Sequence, residues 1–145
     1  MSIILQVIHD LLYIHPPHAL LVHFPIALTS AALFFILLAV WKKSDILEQV
    51  AFADISLAAV STIVAAIAGI HDNAVFYHGL APNHIVKIIL ATILFLVTTT
   101  IAITRWRNPK IFHGRFKALY VSAYFIGFAI VAVLGFLGGV IVYGF

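Results

Sequence analysis

The sequence predicts an all-α polytopic membrane protein, a four-transmembrane-helix bundle with a short N-terminal interfacial helix. Of its 145 residues, 64% are apolar and only 9% charged, against roughly 45–50% and about 25% in soluble domains. The few charges leave uncharged runs at 11–41, 55–71, 73–86, 88–104 and 118–145, and a membrane span needs about 20 mostly apolar residues. With short connections, residues 1–145 read as a single membrane domain with four spans and no separate water-soluble unit.

The first element covers residues 1–15. Its polar residues Gln6, His9, Asp10 and Tyr13 recur at i, i+3, i+4 and i+7, one stripe of a helix lying in the membrane interface. A secretory signal needs a basic start, and no Lys or Arg precedes Lys42, so the segment reads as retained. Pro16 and Pro17 separate it from the first span, at about 17–41, with Pro17 in the first turn where its missing N–H costs nothing. The second span, about 48–70, is rich in small residues (Ala58, Ala59, Ser61, Ala65, Ala66, Gly69) that let backbones approach closely. Pro82 and Asn83 announce the third, at about 84–104. In the fourth, about 118–143, Ala123, Gly127, Val131, Gly135 and Gly139 recur every four residues, a flat stripe suited to helix packing or, less simply, to an oligomer contact.

Topology follows from charge. Lys42, Lys43, Arg105, Arg107, Lys110, Arg115 and Lys117 fall in two connections on the same side of the bundle. An excess of basic residues marks cytoplasmic loops, which puts both termini and the connection 71–83 outside. The net charge of +3 is therefore read as topology, with no nucleic-acid partner. The lipid bilayer is the expected surrounding.

The absence of cysteine excludes disulfides, c-type haem attachment, thiolate-held iron–sulfur clusters and thiol nucleophiles. There is no glycine-rich phosphate loop, H-E-x-x-H pair or G-x-S-x-G elbow, and Asp10 and Asp72 are the only acids on the outer side. An electron carrier or complex subunit is expected rather than a stand-alone enzyme.

What remains is histidine. Of the eight, this topology puts His9, His15, His18, His23, His71, His78 and His84 at the outer end, with His113 alone inside. Imidazole titrates near neutral pH and is the commonest metal and haem ligand, so gathering it from several helices makes a candidate site. His23 lies roughly 9 Å into the first span at 1.5 Å per residue, beside Pro25, and there an ionisable group needs a partner. His71 closes the second span and His84 opens the third. Lys87, three residues after His84, shares its helix face; it can pair with Asp72 or hold an anionic group such as a haem propionate. Plainer roles stand beside these: His23 satisfying carbonyls freed by Pro25, the interfacial histidines and His113 solvated, Asp54 reaching water at its helix end, and Trp41, Trp106, Tyr13, Tyr77, Tyr120 and Tyr143 forming an aromatic belt.

The segment His18-Ala19-Leu20-Leu21-Val22-His23-Phe24-Pro25-Ile26-Ala27-Leu28 resembles the opening motif of a prokaryotic membrane-protein family known as domain of unknown function 2231. The resemblance continues through a Gly-x-x-Asp matched by Gly69 and Asp72 and a histidine matched by His84. Ala19 departs from the proline common there, and His15-Pro16-Pro17 supplies a second His-Pro, so either His15 or His18 corresponds to the family's first histidine. The resemblance implies a four-span bundle in a prokaryotic cytoplasmic (inner) membrane. Fusion of some relatives to Rieske-type or c-type cytochrome domains implies membrane electron transfer.

Three functions are consistent with these residues. The first is a cytochrome b-like electron-transfer protein, its b-type haem held by His23 with His84 or His71 and served by an extracytoplasmic redox protein or a quinone. A bis-histidine haem needs imidazoles on facing spans at matched depth. The second is a histidine-bound transition metal, zinc, copper or iron, on His18, His23, His71 and His84; the lack of Cys and near lack of Met argue against copper(I). The third is a subunit of a larger respiratory complex, docked to other membrane subunits through the glycine stripe.

Overall fold

The computed structural model describes residues 3–13 and 17–143. Its elements are α1 (Ile3–Tyr13), α2 (Pro17–Leu21), α3 (His23–Lys42), α4 (Asp45–Phe76), α5 (His84–Arg107), a 3-10 turn (Ile111–His113) and α6 (Lys117–Tyr143). Among the described residues there is no strand, and four helical segments are long and apolar enough to cross a membrane. The four-span bundle and the short N-terminal helix are both present.

The first span is α2 and α3 in succession, interrupted at Val22. Pro25 has no N–H to donate to the carbonyl four residues earlier, Leu21, and the ladder loosens there. Lys43, at φ 51°, ends α3, and Ser44 caps the next helix by accepting the Leu47 N–H at 3.4 Å. That cap lets α4 start at Asp45, with Asp45 and Glu48 in the first turn where negative charge suits the helix dipole. At its far end α4 runs to Phe76, so His71, Asp72 and Asn73, expected in or at the edge of a loop, are helical. The connection that follows is tight: Gly79 sits at φ 81°, a backbone conformation open to glycine, and Asn73 receives the Ala81 N–H at 3.0 Å.

Packing follows the order α3, α4, α5, α6, with α6 returning to α3. The central core joins Ala32, Leu33, Ile36 and Ala39 of α3 to Ala51 and Ile55 of α4, Ile101 of α5, Ile111 and Phe112 of the 3-10 turn, and Tyr120 and Tyr124 of α6. The helices' other faces expose Phe34, Leu57, Val60, Leu96, Phe125 and Phe136, as surfaces solvated by lipid do. The small-residue stripe of α6 faces inward in part: Gly127 is buried, and a Cβ there would meet Thr29 Cγ2 at 3.4 Å. Helix packing, not docking, accounts for that stretch.

A candidate site at the histidine end

The end of the bundle that carries His18, His71 and His84 is organised by α4. Asp72 is 4% exposed, and one carboxylate oxygen accepts the backbone N–H of His18 at 2.9 Å. His18 lies in the first turn of α2, where N–H groups have no partner within the helix, so Asp72 caps the first span from a neighbouring one. The His18 ring then lies against α4, with Nδ1 2.8 Å from the Ala65 carbonyl. Gly69 makes this approach possible: a Cβ at that position would stand 3.0 Å from Nδ1 and 3.1 Å from Cε1 of the ring. His18, Gly69 and Asp72, three separate pieces of the family-like pattern, thus form one contact.

The other oxygen of Asp72 lies 3.2 Å from His71 Nδ1. Asn73, the next residue, holds the connection to α5 through Ala81, whose carbonyl in turn receives His84 Nδ1 at 2.9 Å. A carbonyl only accepts, so Nδ1 carries the proton in both His18 and His84, and in the neutral ring Nε2 is the nitrogen with the lone pair.

The remaining candidates are dispersed. His23 is not enclosed between spans; its side chain is exposed on the outside of α3, beside the equally exposed Phe24. Lys87 is half-buried on α5 and forms no ion pair with Asp72, whose two carboxylate oxygens face the His18 N–H and the His71 ring. His78 is exposed at φ 50°, His9 lies 3.5 Å from Asp10, and His15 lies outside the described residues. Among the described residues no three His, Asp or Glu side chains converge on a point that could hold a metal ion.

The opposite, basic end holds a cluster that sequence reasoning missed. Glu48, 2% exposed, takes both ends of the Arg105 guanidinium, Nε at 2.6 Å and a terminal nitrogen at 2.9 Å. The Tyr120 hydroxyl donates to Glu48 at 2.9 Å and lies 2.8 Å from the Tyr124 hydroxyl. Tyr120 is therefore core, not part of an aromatic belt. His113, expected to be solvated only, is exposed but lies 2.7 Å from Asp45. Asp54 does not simply reach water: its Oδ2 is buried and has no hydrogen-bond partner. The overlooked signal was Tyr120 and Tyr124 at i, i+4 on one helix face, with opposite charges at matching depths of two other spans.

Compared with known proteins, residues 14–145 match the model of a family described as predicted membrane protein (DUF2231). No curated protein and no solved structure matches the chain.

Proposed function

We propose, from the premise that this chain belongs to the DUF2231 family of predicted membrane proteins, that it is a membrane electron-transfer protein with a b-type haem bound at its histidine end. One observation carries this reading: His18 and His84 both commit Nδ1–H to a backbone carbonyl. Histidine ligands of metals almost always tie down the second ring nitrogen this way, which sets the tautomer and aims Nε2. The His71 ring, turned toward Asp72, has the carboxylate version of the same support. The fit to a haem rests on this donor chemistry: His18, His84 and His71 are the residues that would hold it, and His23, facing away from the bundle, is left out of the ligand set.

When bound, the haem supplies one-electron chemistry. The chain's own residues do the rest. Asp72 holds the His18 backbone and Gly69 leaves room for its ring on α4, Asn73 fixes the start of α5 and with it His84, and Lys87, one turn further on, would offer its ammonium to a propionate. In this reading the basic connections, with His113, face the cytoplasm of a prokaryotic cell, both termini and the other histidines lie outside, and the electron partner is an extracytoplasmic redox protein or a quinone, with other membrane subunits alongside.

The test is the visible spectrum of the purified protein. A Soret band that shifts on reduction, lost or converted in His18→Ala and in His84→Ala or His71→Ala but kept in His9→Ala and His113→Ala, is the expected result. A colourless protein with stoichiometric metal by elemental analysis replaces haem with a histidine-bound metal. A protein with neither removes the cofactor and leaves a role as a subunit of a larger complex.

A further inference from the structure

Between α5 and α6, toward the basic end, runs an apolar groove of about 420 Å³. Leu96, Thr100 and Thr104 form one wall and Leu119, Ala123 and Ile126 the other. Thr100 and Ala123 are too short to fill the space, and Tyr120 is drawn away into the core by its bond to Glu48. The stretch from Leu96 to Thr104 covers roughly 12 Å of helix at 1.5 Å per residue, most of the ~15 Å depth of one leaflet's hydrocarbon. The groove has the length of an acyl chain's run through that leaflet, and it is open at the side where lipid lies.

The chain at its basic end is rich in cations. Asn108 and Phe116 line the groove there, and Arg107, Lys110, Arg115 and Lys117 stand next to its lining residues in the chain. No acidic residue occurs after Asp72. Of the acids near this end, Glu48 is taken by Arg105 and Asp45 lies against His113, so these four cations have no acidic partner among the described residues. Arg115 lies over the ring of Phe116, 4.6 Å from its centroid, which holds a positive charge against a residue of the groove's lining; Lys117 lies over Phe112, 4.4 Å from its centroid. Basic pockets between spans of this kind receive lipid headgroups.

We propose that the groove is a binding site for an anionic glycerophospholipid, one acyl chain between α5 and α6 and the phosphate at Lys110 and Arg115. The site is at the opposite end from His18, His71 and His84 and does not depend on any cofactor there.

The full chain, purified in detergent and incubated with an equal mixture of phosphatidylglycerol and phosphatidylcholine of identical acyl chains, is read by native mass spectrometry. Phosphatidylglycerol is retained over phosphatidylcholine by roughly tenfold or more, as contact with two cations near the surface implies. The double variant Lys110→Gln/Arg115→Gln retains both lipids about equally. Thr100→Phe, at an exposed position that fills the groove without entering the core, loses both, and Ala123→Phe repeats the result from the other wall; unchanged helicity shows that both variants are folded. Equal retention of the two headgroups by the unaltered protein, undiminished lipid in both folded groove-filling variants, or displacement of phosphatidylglycerol by added ubiquinone overturns the proposal.

Discussion

Replacing Gly69 by alanine tests the histidine end at its tightest point. An added Cβ would lie 3.0 Å from His18 Nδ1 and 3.1 Å from Cε1, closer than ordinary van der Waals contact. A free ring would swing aside at little cost, but this one is held by Nδ1–H to the Ala65 carbonyl and its backbone by Asp72. Overpacking costs roughly 1–3 kcal/mol and the broken ring hydrogen bond about 1 kcal/mol. Against these stands a gain of about 1 kcal/mol from replacing a helical glycine by alanine. The balance is a loss of about 1–3 kcal/mol, or a few degrees in Tm for a chain of this length. Gly138→Ala is the matched control: nothing lies within 4 Å of its Cβ position, so only the helix gain of up to about 1 kcal/mol remains and the sign reverses. Thermal unfolding in detergent followed by circular dichroism reads both. In the double variant Gly69→Ala/His18→Ala the alanine clash disappears, and the two changes cost less together than their sum. If Gly69→Ala stabilises the protein as Gly138→Ala does, the His18 ring does not rest on Gly69, and its fixed orientation is lost from the argument.

Two further outcomes follow. Arg105→Met strands the Glu48 carboxylate in the core and lowers stability by about 3–5 kcal/mol, while adding Glu48→Leu recovers most of the loss, because removing both partners of a buried pair is far less costly than removing one; the same unfolding assay separates the cases. For orientation, the chain has no native cysteine, so Leu80→Cys, 81% exposed in the connection before α5, reacts with an impermeant thiol reagent added to intact cells and Lys110→Cys does not; the opposite pattern reverses the topology.

The spans were legible because lipid imposes a simple rule: about 20 apolar residues per crossing, with prolines and charges at the edges. The limits of the second span were not, because reading charge as loop hid a helix that starts at Asp45 on a serine cap and carries His71 and Asp72 in its last turns. The site was half legible. His18, His71 and His84 announce themselves by residue type, but that His18 rather than His23 turns inward depends on Gly69 and Asp72, some fifty residues away. No local pattern carries that contact. The Glu48, Arg105 and Tyr120 cluster was hidden for the same reason: each member has an ordinary interfacial role when read alone.

Both ends share a construction that helix α4 makes possible. Its buried carboxylates, Glu48 and Asp72, are 2% and 4% exposed and separated by 24 residues, roughly 36 Å along the helix, slightly more than the ~30 Å hydrocarbon thickness. Each therefore falls near a membrane edge, where an ionised group costs less than at the centre. Each is satisfied by groups from neighbouring elements: Glu48 by Arg105 of α5 and Tyr120 of α6, Asp72 by the His18 N–H of α2. Lipid supplies little force to hold apolar helices together in one register, since a leucine face meets lipid as readily as it meets another helix. Two polar anchors near opposite edges of a single span specify that register where apolar packing alone does not. Helix α4 thus places α5 and α6 at the basic end and α2 at the histidine end, so the orientation of the His18 ring is tied to the geometry of the whole bundle.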